Sequence, residues 1–303
     1  MAWLICGSVP DEAFSLCEDA WDFEDGSIVS LGSGEKDCSP ARLPVRRGTP
    51  ALIAACACTL KALGGEPPRA LLCGDAGRGR GSRALYRRLE AKLPERHDLA
   101  GITFHYLFPD IDGHGRVLAG IEAMPSRPLL VADAGFMYAA KMSGFASAYD
   151  LFTPDLGELA FLADEQAPHP FYTRGFLLSG QQSPQQMLTL ACQGSGASRW
   201  LLVKGAKDLI CQGDLVLASV SEPQVPALEA VGGTGDIVTG IVSGLLAHGM
   251  PMPEACTMAC WAARRAGELA CATPATQVAD IIPSIPQALH EAMGHMPRVR
   301  SVR

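Results

Sequence analysis

The sequence predicts an α/β fold, in which helices cover both faces of a mainly parallel sheet. Short apolar runs alternate along the chain with segments of helical periodicity, as in repeated strand–helix units. Two glycine-rich turns follow predicted strands, where open α/β sheets bind ligands. The composition agrees, because 48% of the 303 residues are hydrophobic and 19% are charged, as in a globular protein with a large core.

The predicted elements follow one another in a regular order. Helices are predicted at 50–63, 83–93, 237–246 and 253–271, and strands at 69–73, 102–107, 129–132 and 200–203. A further helix starts at Thr153-Pro154-Asp155, with Thr153 as its cap, and Ser82 is the predicted cap of helix 83–93. Segments 209–211 and 215–218 are predicted as antiparallel strands added to the parallel sheet.

Charge and hydropathy exclude several classes of protein. The formal net charge of −7 argues against a nucleic-acid partner. No apolar run is long enough to span a bilayer, and the first residues lack the basic region of a signal peptide. We therefore expect a cytoplasmic protein without a membrane partner. The chain is predicted to form one domain over 1–303, with a frayed basic tail near 297–303.

The cysteines and histidines give little sign of a metal site. Eleven cysteines are scattered along the chain without a C-x-x-C pair, which predicts buried free thiols rather than zinc ligands. The segment 105–114 contains two histidines and two aspartates, which can bind a metal. Its Pro109 and Gly113 favour an ordinary loop instead.

The most informative motif is Val231-Gly232-Gly233-Thr234-Gly235-Asp236, which directly precedes a predicted helix. Such a turn can direct several backbone N–H groups at one anion, and the helix N-terminus adds partial positive charge. A carboxylate beside a bound phosphate is normally disfavoured, because like charges repel. It is useful where a hydroxyl attacks the phosphoryl group, because it can accept the hydroxyl proton. Asp236 is therefore predicted to be a catalytic base.

A simpler interpretation of this motif is an ordinary helix start that Thr234 or Asp236 caps. One cap does not require three glycines, so the phosphate-binding interpretation is favoured. The residues predicted to bind phosphate are Gly232, Gly233, Thr234 and Gly235.

Further ligand-binding residues are predicted at the carboxyl ends of strands. They are Gly74, Asp75 and Gly77 of the loop 74–82, Asp133, Glu158, Lys204 and Gly205. One crevice is expected to collect these segments together with the turn 232–236. Two simpler interpretations stay open: the loop 74–82 is a glycine-rich surface turn, and Glu158 is a solvated carboxylate in a first helical turn.

Missing motifs exclude two common enzyme classes. The chain has no G-x-x-x-x-G-K-[ST] sequence, so it is not a P-loop enzyme. It also lacks the G-x-S-x-G elbow of serine hydrolases. Arg78, Arg80 and Arg83 place positive charge near the expected crevice, where they either meet an anionic substrate or form a solvated helix start.

Three motifs resemble the ADP/ATP-dependent NAD(P)H-hydrate dehydratases, the carbohydrate-kinase-like branch of the ribokinase superfamily. The segment 231–246 resembles their G-G-T-G-D-x-L-x-G-x-x-x-x-L-L element. Thr153-Pro154-Asp155-Leu156-Gly157-Glu158 resembles T-P-x-x-G-E, and Val203-Lys204-Gly205-Ala206 resembles x-K-G-x. The motifs occur in the family's order, and the resemblance spans roughly residues 50–272.

The resemblance implies a ribokinase-like fold and a nucleotide-dependent reaction. ATP or ADP would bind near Lys204, Gly205 and the turn 232–236, with 233–235 as the anion hole and Asp236 as the base. In the family reaction, phosphorylation of the hydrate hydroxyl creates a leaving group, and elimination restores the dihydronicotinamide. The resemblance also implies a homo-oligomer and Mg²⁺, with Glu158 holding the metal directly or through water.

The sequence departs from the family pattern at the substrate end. The dehydratases carry D-A-D-[AG]-L before the T-P motif, whereas this chain has Asp133-Ala134-Gly135-Phe136-Met137. Three functions therefore stay open. The first is a dehydratase for NAD(P)H hydrate, and the second is a sugar-kinase-like, ATP-dependent kinase of a small hydroxylated metabolite. The third is a nucleotide-binding regulatory protein without catalysis.

Overall fold

The structure, a computed structural model, describes residues 1–32, 41–167 and 183–295. Its strands are β1 (Ala2–Val9), β2 (Cys17–Glu24), β3 (Ser27–Ser30), β4 (Arg42–Pro44), β5 (Arg69–Gly74), β6 (Leu99–His105), β7 (Leu129–Ala132), β8 (Leu151–Phe152), β9 (Trp200–Val203), β10 (Asp208–Gln212) and β11 (Leu215–Val220). Its α-helices are α1 (Thr49–Ala62), α2 (Arg80–Lys92), α3 (Ile111–Glu122), α4 (Ala134–Met142), α5 (Leu156–Ala163), α6 (Pro184–Gln193), α7 (Thr234–Ala247), α8 (Met252–Leu269), α9 (Val278–Ile281) and α10 (Ile285–His295). The predicted basic tail 297–303 lies outside the described residues.

The strands form one sheet in the order β11-β10-β9-β8-β7-β6-β1-β5-β2-β3-β4. Neighbours from β9 to β5 in this order are parallel, and β10, β11 and β2 to β4 add antiparallel strands at the two edges. The predicted mainly parallel sheet is confirmed, and so is the antiparallel pair after β9. Strands β1 to β4 were not predicted, although β1 lies in the middle of the sheet.

Helices cover both faces of the sheet, as predicted. Buried side chains of α1, α7, α8 and α10 form one core, which includes Leu52, Ile241 and Leu289. Buried side chains of α2 to α6 form the second core on the other face, which includes Leu85 and Phe136. The alternation of side chains along each strand divides its residues between these two cores.

Helices α1 and α7 pack in close backbone contact. A Cβ atom on Gly240 would lie 2.3 Å from the carbonyl oxygen of Leu52, and one on Gly244 would lie 2.8 Å from the Thr59 side chain. Only glycine fits at these two positions, because any side chain would force the helices apart. The close packing places the N-termini of α1 and α7 side by side.

Two predicted helix caps are wrong. Helix α2 begins at Arg80 with Gly79 at its cap, and Ser82 lies in the first turn, where its N–H and hydroxyl donate to Asp75. Helix α5 is capped by Asp155 instead of Thr153, because the Asp155 carboxylate accepts the N–H of Glu158 in a capping box. In both helices a carboxylate accepts a backbone N–H group of the first turn.

The described residues contain no helix long and apolar enough to cross a membrane. Most cysteines in this part of the chain are buried free thiols, as predicted. Cys17 is disulfide-bonded, so the prediction is wrong for that residue.

Candidate active site

A cavity of about 760 Å³ opens at the carboxyl ends of β6, β7 and β9 and at the N-terminus of α7. Its lining contains most of the residues predicted from the sequence: Asp133, Glu158, Lys204, Gly205, Gly232, Gly233, Thr234, Gly235 and Asp236. A volume of this size is typical of a small-molecule or cofactor site. Four of the five predicted segments therefore meet, and the loop 74–82 does not line the cavity.

The turn 232–236 forms the start of α7. Gly233 occupies the cap position with φ 98°, and no side chain caps the helix. The Thr234 hydroxyl instead donates backwards to the carbonyl oxygens of Leu228 and Val231, at 3.3 Å each. The interpretation of the motif as a helix start capped by Thr234 or Asp236 is therefore wrong. The first-turn N–H groups have no side-chain cap, and the turn lines the cavity.

Gly233→Val is expected to weaken binding of a nucleotide in the cavity at least tenfold. A Cβ atom there would lie 3.0 Å from the Cα and Cβ atoms of Arg47 and 3.1 Å from Val278, at a φ that branched residues rarely adopt. The turn must therefore move, and its N–H groups with it. Isothermal titration with ATP measures the effect. Gly249→Val is the control, because Gly249 has φ 90° and open space around it. Unchanged ATP affinity in Gly233→Val would remove the turn from the site.

Asp236 is held from two sides. The Gly48 N–H donates to its Oδ2 atom at 2.5 Å, and the His105 ring lies with Nε2 3.1 Å from Oδ1. The other ring nitrogen, Nδ1, lies 3.1 Å from the Thr49 hydroxyl. Asp236 is 7% exposed and lines the cavity. A buried carboxylate with fixed orientation at a cavity wall suits a general base.

Lys204 and Asp133 form a buried ion pair at the cavity floor. The Lys204 ammonium lies 2.9 Å from Oδ2 and 3.1 Å from Oδ1 of Asp133, and the Thr239 hydroxyl donates to Oδ2 at 2.6 Å. Burial alone would raise the pKa of Asp133, but Lys204, His105 and Thr239 outweigh it and hold that pKa below its usual range. Burial likewise opposes the Lys204 charge, yet Asp133 and Glu158 raise the pKa of Lys204 above its usual range. Asp133 therefore positions Lys204 instead of offering free oxygens to a substrate.

Glu158 lines the cavity as part of the capping box of α5. Its oxygens accept the N–H of Asp155 at 2.8 Å and the Tyr138 hydroxyl at 2.6 Å, so the interpretation as a solvated carboxylate is wrong. Burial and the nearby Asp133 raise the pKa of Glu158 to about 7, against the opposing effect of Lys204. No group of three metal-ligating side chains occurs among the described residues. A magnesium ion here would depend on nucleotide phosphates and water, with Glu158 as the protein ligand.

The loop 74–82 binds its own carboxylate instead of a ligand. Asp75 accepts the backbone N–H groups of Gly77, Arg78, Gly79 and Ser82, at 2.9 to 3.0 Å, and the Ser82 hydroxyl at 2.7 Å. These bonds outweigh burial and keep the pKa of Asp75 below its usual range. Gly74, Asp75 and Gly77 do not line the cavity, and the Asp75 contacts favour the interpretation as a surface turn. Their substrate-binding role stays a prediction.

The arginines near this loop form contacts outside the cavity. Arg78 pairs with Glu12, and Arg83 pairs with Asp110 at 2.8 Å while lying over the Phe108 ring. None of the three arginines, Arg80 included, lines the cavity. They do not supply positive charge to it.

The two histidines of segment 105–114 do not share a site. His105 ends β6 at the cavity, whereas His114 is buried in the opposite core, between the Tyr149 hydroxyl and the Ser143 hydroxyl at 2.9 Å each. The interpretation of segment 105–114 as a metal site is therefore wrong. Burial lowers the pKa of His114 to about 4, because the charged ring would lose its hydration.

The buried His114 is expected to make the protein less stable as pH falls from 6.5 to 4. In this range the unfolded chain binds a proton that the folded chain excludes. At one pKa unit per 1.4 kcal/mol, the loss of unfolding free energy is at most about 3 kcal/mol. Urea unfolding at several pH values should show this slope in the native protein and in His97→Gln, whose side chain is exposed. A His114→Gln variant with the same slope would contradict the assignment.

Sequence reasoning missed the segment that precedes α1. Arg47 reaches the turn 232–236 and Gly48 reaches Asp236 from far along the chain. No local motif marks them. His105 does carry a signal, because polar Thr103 and His105 alternate with apolar residues along β6 and share one face of the strand.

Tyr106 was also missed, and it forms part of the cavity mouth. It follows β6 with φ 49°, a left-handed conformation that is costly for a residue with a side chain. Burial and the carboxylates of Asp236 and Asp133 raise the pKa of Tyr106 to about 12. At neutral pH its hydroxyl therefore remains a hydrogen-bond donor.

Comparisons with known proteins agree with the geometry. A family model described as NAD(P)H-hydrate dehydratase matches residues 117–287. The uncharacterized protein MJ1337 of Methanocaldococcus jannaschii is 35% identical over 78% of this chain and 96% of its own length. An ADP-dependent (S)-NAD(P)H-hydrate dehydratase of Cenarchaeum symbiosum is 28% identical over 62% of this chain and 60% of its own length.

A solved structure supports the fold. A ribokinase-like superfamily protein of Enterococcus faecalis V583 superposes with a TM-score of 0.55 over 96% of this chain and 87% of its own, at 15% identity. The fold is therefore ribokinase-like. Since the family model covers more than half of the 303 residues, the chain belongs to the NAD(P)H-hydrate dehydratase family.

Proposed function

We propose that this protein is a nucleotide-dependent dehydratase that repairs NAD(P)H hydrate. The observation that carries the proposal is the Asp236 carboxylate, which lies beside the uncapped N-terminus of α7 in a cavity. A binding protein needs the turn but not the carboxylate, which would repel a phosphate. A phosphoryl-transfer enzyme needs both.

The cavity offers separate surfaces for the two ends of a nucleotide. Apolar side chains line one part and suit a purine base: Val225, Pro226, Leu228, Val238, Ala263 and Ile281. The phosphates would bind the N–H groups of the turn 232–235, with Lys204 below them and Arg47 at the rim. The name of the Cenarchaeum symbiosum relative favours ADP over ATP as the nucleotide. Mg²⁺ would bind between these phosphates and Glu158.

The reaction follows from the position of the base. The hydrate hydroxyl attacks the terminal phosphoryl group of the nucleotide, and Asp236 accepts the hydroxyl proton. The bond between this phosphoryl group and the rest of the nucleotide breaks, so the shortened nucleotide leaves. Elimination of the new phosphate ester then breaks its carbon–oxygen bond, and loss of the neighbouring C–H proton restores the double bond of the dihydronicotinamide. The turn 233–235 would stabilise the charge that develops on the transferred group.

The test is the return of NADH absorbance when the purified protein is mixed with hydrated NADH, Mg²⁺ and either ADP or ATP. Recovery that depends on the nucleotide and is lost in Asp236→Ala supports the proposal. A stable phosphate ester as the product would identify a kinase of a small hydroxylated metabolite. Nucleotide binding without turnover would identify a regulatory protein. Sedimentation of the same sample tests whether the protein is the homo-oligomer that the resemblance implies.

A further inference from the structure

A buried chain of polar side chains runs from α1 to Asp236. The Thr49 hydroxyl, the His105 ring and the Asp236 carboxylate are linked by two contacts of 3.1 Å. Thr49 is 1% exposed and His105 is 0% exposed. Two polar groups buried this completely need partners, and each here has the other as one of its partners.

The partners fix the tautomer of the ring. Oδ2 of Asp236 accepts the Gly48 N–H, and a carboxylate oxygen accepts hydrogen bonds, so the His105 Nε2 atom facing Oδ1 is the donor. In the neutral ring the Nδ1 atom then has a lone pair, which accepts the Thr49 hydroxyl. Asp236 therefore selects the Nε2–H tautomer, and the Thr49 hydroxyl holds the ring by donating to Nδ1.

The surrounding backbone makes room for this arrangement. A Cβ atom on Gly7 of β1 would lie 2.5 Å from the Thr49 methyl group and 2.7 Å from its hydroxyl. The Tyr106 ring closes the other side, edge-on to His105 with centroids 4.4 Å apart. The other charged groups near His105 are Asp133 and Lys204, which pair with each other.

We propose that His105, oriented by Thr49, is a positioning residue for the catalytic base. This inference rests on the proposed role of Asp236. His105 holds one carboxylate oxygen and the Gly48 N–H holds the other, so the plane of the carboxylate is fixed before substrate binds. A fixed base meets the attacking hydroxyl without the cost of reorienting itself.

Thr49 provides the sharpest kinetic test, because one variant removes the hydroxyl and another keeps it. Thr49→Val keeps the volume and loses the hydroxyl, and it should lower kcat about tenfold with little change in KM, as expected for one hydrogen bond. Thr49→Ser keeps the hydroxyl and should retain most of the native kcat. Equal kcat values for the two variants would contradict the proposal.

His105 variants separate positioning from packing. His105→Phe keeps the ring and should lower kcat on the order of 100-fold, as loss of an orienting partner typically does. His105→Gln retains a donor and should recover part of that loss. In an Asp236→Ala background, followed by single-turnover measurement of the residual rate, the His105→Phe change should cause no further loss, since it acts through Asp236. An additive loss in the double variant would contradict the proposal.

A substrate-free measurement keeps this inference separate from the proposed function. Histidine ring ¹⁵N NMR of the native protein should show one slowly exchanging Nε2–H tautomer, assigned by its absence in His105→Gln. That signal should shift in Asp236→Asn and broaden or change tautomer in Thr49→Val. With these signals present, a failed dehydratase assay overturns only the activity. An Nδ1–H tautomer at His105 overturns the positioning role whatever the activity.

Discussion

Asp236→Ala is expected to abolish turnover while leaving nucleotide binding intact or tighter. The change removes the acidic residue in the first turn of α7, and with it the group that would accept the hydroxyl proton. General bases contribute up to about 10⁴-fold to rate, so kcat should fall by that order. Binding should not suffer, because a charge that repels phosphate disappears. Steady-state kinetics and isothermal titration measure the two effects separately.

Asp236→Asn is the matched variant for this experiment. Asparagine keeps the volume and one oxygen that can accept the Gly48 N–H, but it cannot accept a proton. It should therefore fold like the native protein and be as inactive as Asp236→Ala. Normal turnover in either variant would show that Asp236 is not the base.

Lys204→Met is expected to lower the unfolding free energy by about 3 to 5 kcal/mol, the usual cost of removing one partner of a buried ion pair. The Asp133 side chain is 2% exposed and would keep its charge without the ammonium that balances it. Urea unfolding with native and variant protein measures the change. Nucleotide affinity should fall as well, because a cation leaves the phosphate end of the cavity.

Two companion variants isolate the buried charge as the cause. Adding Asp133→Asn to Lys204→Met should restore part of the stability, since a neutral amide needs no counter-charge. Lys61→Met breaks an ion pair with Asp22 in which the Lys61 side chain is 70% exposed, and it should leave the urea midpoint almost unchanged, because water screens an exposed pair. If Lys204→Met unfolded at the same urea midpoint as the native protein, the expected loss of unfolding free energy would be contradicted.

The stabilising effect of the Lys204–Asp133 pair also depends on pH. The pKa of Asp133 is held below its usual value of 3.8, so the folded state favours the ionised carboxylate. The pair therefore contributes its full stability above about pH 4 and loses it as pH falls through the lower, folded-state pKa.

The sequence predicts the sheet, most helices and the place of Asp236 at the cavity, because each rests on a local pattern. Apolar periodicity fixes the strand–helix order, and the motif 231–236 marks the turn. The partners of Asp236 have no such pattern. Gly48 precedes it by 188 residues, and only the packing of α1 on α7 brings the two together.

Other failures have equally specific physical causes. Strand β2 has the acidic sequence Cys-Glu-Asp-Ala-Trp-Asp-Phe-Glu, which is weak in strand-forming residues and breaks the polar–apolar alternation because its inward face includes the buried Asp19. The loop 74–82 has the composition of an anion-binding turn, and it does bind an anion. Composition does not reveal that the anion is Asp75, because the direction of a side chain depends on the folded loop.

The close contact of α1 and α7 has a consequence for inactivation by heat. The Asp236 carboxylate lies on one of these helices, and the N–H that holds it precedes the other. With Gly240 and Gly244 allowing no gap between their backbones, neither helix can fray at the site while the core beneath it stays closed. We therefore expect the site not to unfold locally at temperatures below global unfolding, as binding loops typically do. Catalytic competence should persist until the whole domain melts, so a preparation will hold fully competent and fully unfolded molecules, with few in between.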